Sequence, residues 1–186
     1  MAGAMAGYPA ELEREIVLSD GARLRLRPIR PEDQERLAEF HQHLSSRTAY
    51  QRFFTIVRRL PPDWARRLAN VDYERRLALL AEPIEAGAPV LVGVARYDVV
   101  DPPDTAEIAF VIRDDWQNRG LGTTMLDALL GAAEARGIRR FRAYVLADNV
   151  RMLDLLARFT DVCERRTASG VTELLLTRRP AGARLG

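Results

Sequence analysis

The sequence predicts a mixed α/β domain, a central sheet with helices on both faces, and three observations carry that expectation. Short apolar runs rich in β-branched residues alternate along the chain with stretches whose apolar residues recur at helical spacing. One stretch, residues 105–123, reads as a buried strand, a glycine-spaced turn and the start of a helix. The 186 residues, 47% hydrophobic and 29% charged, suit one globular domain able to bury roughly two thirds of its unfolded surface.

In chain order, residues 1–13 are small and weakly patterned, which predicts a flexible tail. Residues 15–18 and 23–28 flank Ser19-Asp20-Gly21, and Asp-Gly between alternating runs signals a hairpin. Leu24 and Leu26 alternate there with Arg23, Arg25 and Arg27, so one face is buried and the other solvated. Pro31 takes a first helical position with Glu32 and Asp33 in the first turn, and Leu37, Phe40 and Leu44 continue as a helical stripe. His41 and His43 read as partly exposed residues of that helix rather than as ligands. Residues 45–54 are dense in arginine and aromatics; they read equally as a connector whose aromatics close the core and as a lip on the substrate side.

A second helix follows over 61–70, with Trp64 and Leu68 on one face. Strands are expected at 77–82 and 90–98, joined at Glu85-Ala86-Gly87, and again at 106–112. A helix over 123–136 places Met125, Leu129, Leu130 and Ala133 at core spacing and ends on Gly137. Then come a strand at 140–146, a helix at 151–159, and a closing hairpin of 162–166 and 171–177. Cys163 is expected to be a small buried residue of that hairpin. The domain would span 14–178, with 179–186 as a second tail.

Composition narrows the function. No apolar run approaches the length of a membrane span, and the first residues lack a charged region followed by an apolar core, so a cytoplasmic protein without a membrane partner is expected. One cysteine and two histidines are too few for a disulfide or for most zinc sites, so no metal is expected. All 28 basic residues are arginine, and the chain has no lysine. The arginines are scattered among 26 acids without interleaved aromatics, which argues against nucleic acid.

The turn at Gln117-Asn118-Arg119-Gly120-Leu121-Gly122 carries the chemistry. The first N–H groups of a helix lack partners inside it, the helix dipole adds positive potential, and glycines let an anion approach the backbone. The turn lacks the Gly-Lys-Ser/Thr ending of a Walker loop and the third glycine of a dinucleotide fingerprint.

Its Gln-x-x-Gly-x-Gly form resembles the pyrophosphate loop of the GCN5-related N-acetyltransferases (GNAT). Residues 26–33, Tyr50-x-Arg52-Phe53-Phe54, Val71-Asp72-Tyr73 and Gly93-Val94-Ala95-Arg96-Tyr97 extend the likeness. Together with residues 114–122 and Leu146-Ala147-x-Asn149-x-x-Met152-Leu153, they resemble the catalytic domain of bacterial Pat-type protein lysine acetyltransferases. The resemblance implies a GNAT fold: a mixed, mostly antiparallel sheet, splayed between the fourth and fifth main strands. It also implies acetyl-CoA as co-substrate and a protein acceptor such as an acyl-CoA synthetase, in a monomer or homodimer. Many such domains are fused to a regulatory domain; nothing of that kind is seen in these residues, so regulation in cis is not expected.

Glu107, the only acid in its apolar strand, is the candidate general base, because desolvation there would raise its pKa. The resemblance puts the general-base glutamate at the same position; the plainer alternative is a solvent-facing glutamate. Alternation puts Glu107 on the face of Ala109 and Val111 unless a bulge intervenes, and the resemblance implies a bulge. By resemblance, the backbones of Phe110 and Ile112 would pair with the pantetheine arm. Gln117, Asn118, Arg119, Gly120, Leu121, Gly122 and Thr123 would cradle the pyrophosphate, and Asn149 would bind the coenzyme arm. Where relatives carry a tyrosine acid this chain has Leu156, which leaves Tyr144 or water to protonate the thiolate. Thr160-Asp161 stand where relatives have Gly-Phe. Acetylation of a small amine and a non-catalytic coenzyme sensor are the competing functions.

Overall fold

The computed structural model describes residues 7–85, 87 and 90–183. One eight-stranded sheet runs in the order β1-β2-β3-β4-β5-β6-β8-β7. Its strands are β1 (Arg14–Val17), β2 (Arg23–Pro28), β3 (Arg76–Pro83), β4 (Gly93–Val99), β5 (Thr105–Ile112), β6 (Arg140–Leu146), β7 (Thr160–Ala168) and β8 (Val171–Arg178). Every neighbouring pair is antiparallel except β5 and β6. Among the described residues five α-helices accompany the sheet: α1 (Gln34–Gln42), α2 (Ser46–Phe53), α3 (Pro62–Ala69), α4 (Leu121–Ala135) and α5 (Val150–Phe159).

The two faces of the sheet carry separate apolar cores, as a two-faced layer requires. α4 buries Leu121, Met125, Leu126 and Leu129 against Leu79, Tyr97, Ile108 and Phe110. α1 and α3 cover the other face, where Leu37, Phe40 and Ala65 meet Leu80, Val94 and Ile29. The sequence expectation of a mixed sheet between helices is therefore met.

Two ladders decide where a site can form. β4 and β5 pair one to one from Gly93↔Ile112 to Val99↔Ala106, without a register shift. The bulge expected in β5 is thus absent, and alternation alone sets which way Glu107 points. β5 and β6 pair only at Thr105↔Arg140, Ala106↔Phe141 and Glu107↔Arg142. Beyond that last rung residues 108–112 have no pairing with β6.

Other residues depart from expectation. Residues 46–53 form a helix, α2; Phe53 packs against the second core, as the connector reading expects, while Arg47, Thr48, Gln51 and Arg52 line a cleft, as the lip reading expects. Ser45 caps it by accepting the Thr48 N–H at 3.2 Å, and Asp114 anchors the start by accepting from the Ser45 N–H (2.9 Å), Ser45 Oγ (2.7 Å) and Thr48 Oγ1 (2.7 Å). That anchor lies 66 residues away from Thr48 in sequence, so local pattern could not reveal it. His41 is buried, because the segment after α2 folds back over it: Nε2 donates to the Val57 carbonyl at 2.6 Å and the ring meets Phe53 edge-on. Cys163 is exposed, because β7 is an edge strand and the residue sits in a bulge between Val162 and Glu164. Of the tail expected at 1–13, Tyr8, Pro9 and Leu12 are held against the domain: Tyr8 meets Tyr73 edge-on at 5.7 Å and donates to Glu13, Pro9 is buried, and Leu12 rests on the core. Residues 1–6 lie outside the described set, as do Ala86 of the turn after β3 and residues 184–186. Of the second tail, Arg179 is tied to the Phe159 carbonyl by its N–H (2.7 Å) and to Asp161 by its side chain.

Candidate active site

The turn between β5 and α4 takes its shape from two backbone devices. Gly120 has φ +86°, a left-handed conformation that glycine adopts without cost, and Asn118 is left-handed at φ 61°. Gly122 stands where a Cβ would come within 3.2 Å of Leu155 on α5, so a side chain there would crowd the space between the two helices. α4 has no side-chain cap, and its first backbone bond runs from the Thr124 N–H to Gly120 O. The amides of Leu121, Gly122 and Thr123 therefore open its N-terminus as unmet donors along the dipole.

A cleft of about 940 Å³ runs from this terminus, lined by Gln117, Asn118, Gly120, Gly122 and Thr123 on one side and by Phe110, Ile112, Asn149 and Arg52 further along. Gln117 holds the turn to the strand through Nε2, which donates to the Ile112 carbonyl at 3.0 Å. Asn149 caps α5, accepting the Met152 N–H at 3.3 Å. The side chains of two expected cradle residues lie outside the cleft. Arg119 pairs with Asp20 at 2.5 Å and lies 4.0 Å over the Trp116 ring, outside the cleft lining. Leu121 is 1% exposed and belongs to the core, so only its backbone can serve an anion.

The strand edge beside the cleft is available for hydrogen bonding. The Arg113 N–H donates to Val92 O at 2.9 Å, and the Val100 N–H to Thr105 O at 2.9 Å, across the β4–β5 ladder. By alternation the amides of Glu107, Ala109 and Val111 turn to β4, and those of Phe110 and Ile112 turn to β6, past the end of the three-rung ladder.

A smaller pocket of about 50 Å³ continues past Phe110 and Asn149 and is lined by Arg52, Phe54, Glu107 and Tyr144. Glu107 is exposed as a residue and stands on the last β5–β6 rung, between Asp98 on β4 and Arg142 on β6. Burial of its carboxyl raises its pKa above the usual glutamate value, and Asp98 adds to the rise, while Arg52 and Arg142 oppose it. Burial alone would raise Asp98 as well, but Arg96 and Arg76 hold it below the usual range. Burial and the neighbouring Arg96 lower the Arg52 guanidinium to about 10, so it stays charged at neutral pH. Tyr144 donates to Glu173 at 3.3 Å, and desolvation followed by Glu173 raises its phenol. Leu156 is buried in the pocket wall.

The structure thus gathers Glu107, Phe110, Ile112, Gln117, Asn118, Gly120, Gly122, Thr123 and Asn149 around two connected cavities. It adds Arg52 to the lining and sets Asp98 and Arg142 beside Glu107 on the neighbouring strands, none of which sequence reasoning assigned to the site. The density of arginine and aromatics at 45–54 and the Tyr50-x-Arg52-Phe53-Phe54 segment pointed toward the first of them. Among the described residues no group of three or more His, Cys, Asp or Glu is arranged to hold a metal, and no helix is long and apolar enough to cross a membrane.

Comparison with known proteins bears on this geometry. Residues 23–159 match the acetyltransferase (GNAT) domain model. An acetyltransferase of Pseudomonas aeruginosa is 32% identical over 148 residues, 80% of this chain and 80% of that protein. The acetyltransferase Pat of Mycolicibacterium smegmatis is 34% identical over 140 residues, 75% of this chain but 41% of that protein, so the chain spans less than half of that relative's length. The crystal structure of the GNAT domain of S. lividans PAT superposes with a TM-score of 0.83 at 33% identity, covering 92% of this chain and 99% of that one.

Proposed function

The chain belongs to the GNAT acetyltransferase family, whose members use acetyl-CoA, and from that premise we propose that it acetylates a lysine side chain of a protein, with Glu107 as general base. The single observation that carries the reading is the continuity of the cleft. It joins the uncapped N-terminus of α4 to the pocket of Glu107 and passes the outward amides of Phe110 and Ile112 on the way. The first part fits a diphosphate, the strand edge fits an extended amide-bearing arm, and the carboxylate fits an amine that must lose a proton.

Bound acetyl-CoA supplies an activated acyl carbon. The chain's residues supply the rest. Leu121, Gly122 and Thr123 offer backbone N–H groups to the pyrophosphate, Gly120 gives the turn its left-handed bend, and Gln117 keeps it docked on β5. A Phe110 or Ile112 amide polarises the thioester carbonyl. Glu107 accepts the proton of the incoming ammonium, directly or through water, so that the neutral amine forms the C–N bond as the C–S bond breaks. Tyr144, in the same pocket, or water protonates the departing thiolate and takes up the second proton shed by the acylated nitrogen, so that amide and thiol leave neutral. The protein acceptor is supported by the Pat-type segments and by the Pat relatives; an AMP-forming acyl-CoA synthetase is the first candidate. The chain has no lysine, so its own side chains are not substrates.

The test is to incubate the protein with acetyl-CoA and an acyl-CoA synthetase and to look by mass spectrometry for a gain of one acetyl group on lysine. Transfer to small amines alone would move the acceptor assignment to the small-molecule class. Tight coenzyme binding without transfer to any amine would leave a sensor, a reading to which the exposure of Glu107 and the leucine at 156 lend weight.

A further inference from the structure

The two cavities share five lining residues, and one of them, Arg52, is charged. Arg52 occupies the penultimate position of α2, a helix that packs on β5 and is anchored through Asp114. It therefore stands where the coenzyme cleft opens into the Glu107 pocket. Its guanidinium lies 4.9 Å over the Phe53 ring and makes no hydrogen bond or ion pair with any described residue.

Asp98 and Arg142, which flank Glu107 on the neighbouring strands, are committed. Asp98 takes Arg76 at 2.7 Å and Arg96 at 3.3 Å, and Arg142 takes Glu173 at 3.5 Å. Glu107 shares the pocket with Arg52 without forming an ion pair. Behind them Arg96 is buried and leaves one guanidinium nitrogen unpartnered; it adds positive potential at Arg52, while Glu107 and Asp98 pull the other way without pairing to it. A guanidinium drawn out of water without a counter-ion is costly to keep, and its planar fork matches a carboxylate at two points.

We infer that Arg52 is a carboxylate-binding subsite at the joint of the cleft. The carboxylate belongs to one of the two reactants: the end of a dicarboxylic acyl chain, or an acidic group beside the acceptor amine. The inference rests on the acyl-CoA reading of the cleft. The transfer itself is unchanged, with C–S broken, C–N formed and the carboxylate held but not altered.

Two matched pairs test it. Succinyl-CoA and butyryl-CoA have acyl chains of equal length, and their dissociation constants are compared by calorimetry. Lysyl tripeptides with Glu or Gln beside the lysine are compared as acceptors of acetyl groups. The wild type should prefer the charged member of one pair by about tenfold or more, the worth of one charge-assisted contact. Arg52→Gln should shrink that ratio to within about twofold, and Arg52→Lys should retain part of it. Arg52→Met, which keeps an apolar stem, replaces Arg52→Gln where that variant does not fold. The pair that shows the preference identifies the source of the carboxylate. No preference in either pair, or one that survives loss of the guanidinium, overturns the subsite. If no acyl-CoA binds at all, the coenzyme reading falls and takes the subsite with it; binding that ignores charge sinks the subsite alone.

Discussion

Arg27 and Arg52 are both drawn into the protein, yet their surroundings have opposite designs. Arg27 is enclosed between β2, β3 and the entry to α1. Its Nη2 reaches Asp33 and Glu82 at 2.7 Å each, its Nε donates to Glu82 at 3.1 Å, and its Nη1 serves Asp33 at 2.8 Å and the Pro28 carbonyl at 3.0 Å. Arg36 then joins Glu82 at 2.6 Å. Arg52 has an aromatic ring and a cavity. A matched cluster fixes the geometry of the chain, whereas an unmatched charge beside a cleft is available to a ligand. The lesson is that burial of an arginine says little until its partners are counted.

Glu107→Gln should break the contrast from the functional side most severely. It should reduce kcat by about 10²- to 10⁴-fold, the usual worth of a general base, with acetyl-CoA affinity nearly unchanged in a direct binding assay. Because the raised Glu107 pKa disfavours its charged form in the folded state, the same variant should not lose stability at neutral pH. Arg27→Ala attacks the other cluster and should cost up to about 3–5 kcal/mol in denaturant unfolding, since it leaves the buried Asp33 and Glu82 to Arg36 alone. Gly122→Val should weaken acetyl-CoA binding about tenfold by crowding the space beside Leu155, measured by calorimetry.

Asp98→Asn links the two sides. Asp98 helps to raise Glu107, so its loss should move the acid limb of the pH–rate profile to lower pH. Its own pKa is depressed, so its contribution to stability exists above the unfolded carboxylate pKa and disappears as pH falls through the folded value. The variant should thus be weaker than wild type by about 1 kcal/mol at neutral pH, and the difference should close in acid. Cys163→Ser should change stability by no more than about 0.5 kcal/mol while abolishing labelling by a thiol reagent.

Most of the fold was legible because its signals are local. The Asp-Gly hairpin, the apolar β5, the stripe of α4 and the glycine turn each declare themselves within a short window. The misses are long-range. α2 owes its anchoring to Asp114, His41 owes its burial to a carbonyl 16 residues on, and Cys163 owes its exposure to the edge position of β7. The site divides the same way. The backbone cradle follows from sequence spacing, but Arg119 is diverted by Asp20, 99 residues away, and the meeting of Arg52, Asp98 and Arg142 around Glu107 exists only after three elements assemble.

The three-rung contact between β5 and β6 has one more implication. A sheet that unzips partway leaves main-chain groups that another extended molecule can complete, so the coenzyme would join as a temporary ninth member of the sheet. Deuterium uptake at Phe110 and Ile112 should then slow when acetyl-CoA is added, while the same amides exchange readily in the free protein.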